Sequence, residues 1–130
     1  MITKLFSASV VAVALLSGCG SMSMTPDAPT RTSDGVLIGP NGMTLYTFNK
    51  DAADSGKSTC NGACATNWPP LMAPDSPKQP MGPYTIVMRD DGKKQWAYKG
   101  WPLYYWAKDA KPGDKTGAGM MNGAWAVAKP

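Results

Sequence analysis

The chain has 130 residues, with 13 basic side chains against 9 acidic ones and a formal charge of +4; it contains no His, and every acid is Asp. Without an imidazole base, and with carboxylate chemistry confined to Asp, most routes to hydrolytic catalysis are closed. The basic excess is too small and too scattered for a nucleic-acid surface, and the length supports one core, whose modest size makes covalent support valuable.

The first element is an export segment. Lys4 precedes an apolar stretch over residues 5–16, and Leu16-Ser17-Gly18-Cys19 follows directly. The stretch is shorter than the roughly 20 residues a membrane-spanning helix needs, and it has the layout of a cleaved signal. Leu-Ser-Gly-Cys resembles the bacterial lipobox, in which the Cys sulfur receives a diacylglycerol and the chain is cut just before it. The resemblance implies a signal peptide over 1–18, an acylated Cys19 at the start of the mature chain, and the membrane as a partner through that acyl group. Each buried methylene contributes about 0.8 kcal/mol, so more than one acyl chain gives a stable anchor. Gly20 follows in place of Asp, which resembles the sorting pattern for an outer membrane in bacteria that have one. Residues 19–33 are polar, without hydrophobic periodicity, and read as a flexible tether.

The domain is expected over 34–130. A short strand at 36–38, the turn Gly39-Pro40-Asn41-Gly42 and a strand at 43–48 read as a hairpin. Alternation along the second strand puts Tyr46 and Phe48 on one face and Leu45 and Thr47 on the other. Asp51 ends the apolar run, and a polar loop continues to Thr59. Three readings compete for Cys60 and Cys64. A structural disulfide fits export and small size. A redox pair of the thioredoxin type would have two intervening residues where this chain has three, and haem attachment lacks both the spacing and the His. Trp68-Pro69-Pro70 then opens a proline-rich connector over about 69–83. A strand at 84–89, a type I′ turn at Asp91-Gly92 and a return strand at 94–98 follow, and the next segment is expected to extend them into a three-stranded meander. After Asp109 come a Pro/Gly-rich loop and a last strand at 124–128.

That next segment, Leu103-Tyr104-Tyr105-Trp106-Ala107-Lys108-Asp109, repeats Leu45-Tyr46-Thr47-Phe48-Asn49-Lys50-Asp51 at an offset of 58 residues. Gly42 and Gly100 precede the two copies at the same distance, and Asp34-Gly35 and Asp91-Gly92 stand further upstream. The pattern resembles the bacterial secreted lipoproteins with a Tyr-x-(Phe/Trp/Tyr)-x-x-Asp motif, a secreted repeat of unknown function. A Cys-containing turn before Trp-Pro-Pro, and a Gly-rich loop with a closing Trp, fit the same family. The expected fold is mainly β: a small antiparallel domain built from two related hairpin-containing repeats, about 34–71 and 84–130, with long irregular loops. Counting residues directly, Ala118 and Gly119 stand where the first copy has Cys60 and Asn61, so a site needing a symmetric pair of thiols is not expected.

Two readings of the motif residues Tyr46, Phe48, Asp51, Tyr104, Trp106 and Asp109 remain side by side. In one they are core aromatics with a turn-closing Asp; in the other a Tyr hydroxyl and an Asp carboxylate from each repeat meet in a binding site. No catalytic residue, metal ligand or cofactor is expected, and no nucleic-acid partner. The leading functional reading is a non-catalytic envelope lipoprotein that binds an envelope protein or wall component. The alternatives are a redox or copper-handling accessory using Cys60 and Cys64 or the Met pairs, and a small-molecule or carbohydrate binder presenting Trp68 or Trp101.

Overall fold

The computed structural model describes residues 28–75 and 82–130. The export segment, Cys19, the tether up to residue 27 and connector residues 76–81 lie outside the described residues. The elements are β1 (Arg31–Ser33), β2 (Val36–Ile38), β3 (Tyr46–Phe48), α1 (Ala63–Asn67), β4 (Met72–Ala73), β5 (Tyr84–Met88), β6 (Lys94–Tyr98), β7 (Trp101–Pro102), α2 (Met120–Gly123) and β8 (Trp125–Val127). They form two two-stranded ribbons, β1–β2 and β3–β8, and a sheet of order β4-β6-β5 with β7 also paired to β6. Every pairing is antiparallel.

The domain begins earlier than residue 34. Ser33 pairs with Val36 across Asp34-Gly35, whose φ angles of 52° and 79° are the positive pair a type I′ turn demands. Arg31–Ser33, expected in the tether, is therefore a strand. The reverse correction applies at Asp91-Gly92. There Arg89 N–H donates to Lys93 O at 2.8 Å, leaving Asp90, Asp91 and Gly92 in the loop, and of these only Gly92 has positive φ. The additional Asp90 turns a two-residue reversal into a three-residue loop with glycine at the left-handed position.

The expected meander is also shorter than the sequence indicates. Of residues 101–109, only Trp101–Pro102 pairs with β6 as a strand. At Tyr104 the backbone turns to the other repeat: Tyr46 N–H donates to Tyr104 O at 2.8 Å and Tyr104 N–H to Tyr46 O at 3.0 Å. The two motif tyrosines thus sit opposite one another at the junction of the halves.

Each repeat also hands its last strand to the other. β8, from the second repeat, pairs with β3 of the first, and β4, from the first, pairs with β6 of the second. The exchange repeats bond for bond. Leu37 N–H donates to Ala128 O and Ala128 N–H to Leu45 O; in the other half Trp96 N–H donates to Leu71 O and Leu71 N–H to Leu103 O. A pseudo-twofold axis between Tyr46 and Tyr104 follows from this pattern. The alternation read from the sequence sorts the side chains into two cores. Tyr46, Phe48, Tyr104 and Trp106 lie in one with Trp68 and Trp125, whereas Leu45 and Leu103 lie in the other with Leu37, Leu71 and Trp96. Among the described residues no helix is long and apolar enough to cross a membrane.

Candidate functional site

The motif side chains meet across the axis. Tyr46 donates its hydroxyl to Asp109 Oδ2 at 2.7 Å, and Tyr104 donates to Asp51 Oδ2 at 2.7 Å. Each tyrosine therefore bonds the aspartate of the opposite repeat. The second oxygen of each carboxylate closes its own loop. Asp51 Oδ1 accepts from Thr59 N at 2.7 Å and Thr59 Oγ1 at 2.8 Å, and Asp109 Oδ1 accepts from Thr116 N at 2.9 Å and Thr116 Oγ1 at 2.6 Å. In each repeat the Asp thus closes a turn, and Tyr and Asp from the two repeats meet. They meet in the interior, since Tyr46 and Tyr104 are 0% exposed, Asp51 3% and Asp109 8%. Burial is the main cause that raises the Tyr46 hydroxyl well above its ordinary value, with the bond to Asp109 adding to it. Burial likewise raises Tyr104; its bond with Ser58 works against the shift and its bond to Asp51 adds to it.

A second polar chain, not foreseen from the sequence, joins the first half of this clasp. Arg89 is buried and makes no ion pair among the described residues. Its guanidinium instead donates to Ser58 Oγ (3.0 Å), Gln95 Oε1 (2.8 Å), Cys60 O (2.6 Å) and Asn61 Oδ1 (3.2 Å). Ser58 Oγ accepts from Arg89 and from Cys60 N–H, so its own hydrogen points to Tyr104 Oη, 2.6 Å away. The donors then run in one direction, Arg89 to Ser58 to Tyr104 to Asp51, leading from a buried cation to a buried carboxylate without direct contact. This arrangement satisfies charges that would be costly if left unpaired. In the other half a backbone group replaces the serine, and Gly117 N–H donates to Tyr46 Oη at 3.2 Å.

The aromatic members of the motif build a stack on the same axis. Trp106, Trp68, Trp125 and Phe48 lie one on another, with centroid separations of 4.1, 3.8 and 4.1 Å, and the two central rings are within 2° of parallel. Tyr46 meets Trp68 edge-on at 5.4 Å, as Tyr104 meets Trp125 at 5.1 Å. Trp68, expected as an open platform for a sugar, is 4% exposed and has both faces covered by indoles. Trp101 is half-buried. The two thiols are joined: Cys60 and Cys64 form a disulfide across the start of α1, and Cys60 is fully buried against this stack. Because Thr59 and Thr116 hold equivalent bonds, the second loop is one residue shorter. Gly117, and neither Ala118 nor Gly119, therefore stands opposite Cys60.

The residues missed from sequence are Ser58, Thr59, Arg89 and Thr116. A signal for two of them was present in Lys57-Ser58-Thr59 and Lys115-Thr116, which follow the repeated Asp at nearly equal distances. Arg89 carried none, being the cation at the end of a strand beside a turn.

A family model described as a secreted repeat of unknown function matches this chain twice, over residues 29–72 and 85–129. The two matches coincide with the two halves related by the axis, and the first includes β1. No curated protein and no solved structure matches the chain.

Proposed function

The chain belongs to this family of secreted repeats of unknown function, and we propose that it serves as a non-catalytic binding module held at the cell envelope by an acylated Cys19. The observation that carries the non-catalytic reading is the crossed clasp. Its tyrosines and aspartates are buried and spend their hydrogen-bonding capacity on one another and on loop closure. A general acid or base must reach a substrate proton, directly or through one water, and side chains committed in this way do not. The repeated motif therefore builds a rigid domain, and recognition falls to the loops around it. The envelope location is supported by the family's secreted character, by the disulfide, which suits an oxidising compartment, and by the Leu-Ser-Gly-Cys sequence ahead of the domain.

Fractionation of cells expressing wild type and Cys19→Ser tests the anchor. The wild type is expected with the membranes. The variant is expected in the soluble exported fraction, with the near-ultraviolet circular dichroism of the folded domain. Recovery of Cys19→Ser with the membranes would show that something other than acylation holds the protein there.

A further inference from the structure

The pseudo-symmetry fails between the 110–115 loop and the first hairpin, and a cleft opens there. In one half, the loop after Asp51 is bonded down onto the second hairpin, with Asp54 N–H donating to Gly100 O at 2.9 Å and Met88 N–H donating to Gly56 O at 3.2 Å. The symmetry mate of Asp54 is Pro112, three residues after Asp109, and the mate of Gly100 is Gly42. Proline has no N–H, so the first of these bonds cannot form. Among the described residues the 110–115 loop makes no hydrogen bond to the first hairpin; its bonds are internal, centred on the Asp114 carboxylate, apart from Ala118 N–H donating to Lys115 O. Between the loop and the hairpin lies a cavity of about 290 Å³ whose walls include Val36, Ile38, Thr44, Pro112 and Lys115, with Ser33 and Asp34 on its border.

Two further features of this cleft point to an occupant. Thr44, in its wall, is 1% exposed, and its hydroxyl has no hydrogen-bond partner. A buried hydroxyl left unpaired costs about 1–3 kcal/mol. The fold does not require it, because the residue preceding Leu103 at the matching position is Pro102, which is fully buried without any side-chain polar atom. The second observation concerns charge. Asp34 and Lys115 border the same cleft with opposite signs, yet they form no ion pair with each other or with any described residue. Asp34 occupies the first central position of the type I′ turn.

We propose that this cleft binds a small zwitterion of amino-acid or dipeptide size. The Lys115 ammonium receives the ligand's carboxylate, the Asp34 carboxylate receives its ammonium, the Thr44 hydroxyl, turned toward the cleft by rotation about its χ1, bonds a polar group at the base, and Val36, Ile38 and Pro112 contact its apolar part. The volume, about 290 Å³, lies just below the usual range for ligand pockets, about 300–1,000 Å³, which suits a ligand of this size. The inference goes beyond the anchored-module reading and does not depend on it, since the cleft is independent of Cys19 and of the clasp.

Titration calorimetry of the full chain with alanine, leucine and alanyl-alanine tests the proposal, each ligand being paired with its N-acetylated and C-amidated forms. Saturable one-site binding by at least one free zwitterion is expected, weakened about tenfold or more when either terminus is capped. Asp34→Asn retains a turn-forming residue before Gly35, and Lys115→Gln alters an exposed side chain; each is expected to weaken binding about tenfold without changing the melting temperature. Thr44→Val is expected to weaken binding while melting at or above the wild-type temperature. Absence of saturable binding by all three free zwitterions, equal binding of the capped forms, or undiminished binding by Thr44→Val would overturn the proposal.

Discussion

At the scale of single residues, the clasp makes a distinction that a generic buried network would not. Tyr46 bonds Asp109, 63 residues away, while Asp51 of its own phrase is bonded by Tyr104. Removing one hydroxyl by Tyr46→Phe should cost about 1.5–3 kcal/mol, the range for a hydrogen bond to a charged group. A double-mutant cycle in urea unfolding locates the bond: Tyr46→Phe with Asp109→Asn should show coupling of about 0.5–3 kcal/mol, and clearly more than Tyr46→Phe with Asp51→Asn. Equal coupling in the two cycles would contradict the crossed arrangement. The same tyrosines predict an alkaline limit. Their folded pKa values lie above the ordinary 10.0, so the native state keeps protons that the unfolded chain releases. The stability they contribute is complete below pH 10 and declines as the pH rises above it toward the folded values. In an alkaline titration, the phenolate absorbance of Tyr46 and Tyr104 should emerge together with the loss of near-ultraviolet dichroism. Their ionisation in a protein that keeps its dichroism would count against the buried clasp.

At the scale of elements, what could be read from the chain was the alternation, and what could not was the partner. Tyr46 and Phe48 against Leu45 was enough to divide the domain into its two cores, because side chains alternate along a strand whatever it pairs with. Nothing local told β3 to pair with β8, or Tyr104 to leave β6 for Tyr46. Those choices depend on contacts between segments far apart in sequence, which also explains why the sequence extends the meander too far. The turns differ for a nearer reason: Asp-Gly has the same composition at both sites, and the loop that forms at the second one takes in Asp90 as well. The four-ring stack has a comparable dependence on one small residue. A Cβ placed on Gly117 would come within 2.7 Å of Trp68 and 2.9 Å of Trp106, so the rings would have to move. Gly117→Ala is expected to cost about 1–3 kcal/mol by overpacking and to alter the tryptophan dichroism. A variant with unchanged stability and spectrum would mean that the stack is looser than its spacing implies. The disulfide beside it closes a short loop and should contribute about 2 kcal/mol. Native protein treated with an alkylating agent should remain unlabelled at Cys60 and Cys64 until a reductant is added; rapid labelling without reductant would favour the redox alternative.

At the scale of the whole molecule, the strand exchange decides whether two repeats make two domains or one. Each half gives up the strand that would complete it: β4 leaves the first repeat for β6, and β8 leaves the second for β3. The stack is shared in the same manner, alternating Trp106, Trp68, Trp125 and Phe48 between the repeats. A half on its own would expose the edge of β3 or β6 and half of an aromatic column, and isolated hairpins of this kind are marginal in water. Fragments 28–81 and 82–130, prepared separately, are therefore expected to show the narrow amide dispersion of unfolded chains. Mixed in equal amounts, they are expected to recover the dispersion of the intact domain, with a midpoint that depends on concentration, as association requires. The crossed bonds supply an internal check. Tyr46→Phe in the first fragment should weaken its association with the second, since the hydroxyl lies in one fragment and Asp109 in the other. A first fragment that folds as a monomer would break the argument at its base, because it would show that the repeat closes its own core without the partner strand.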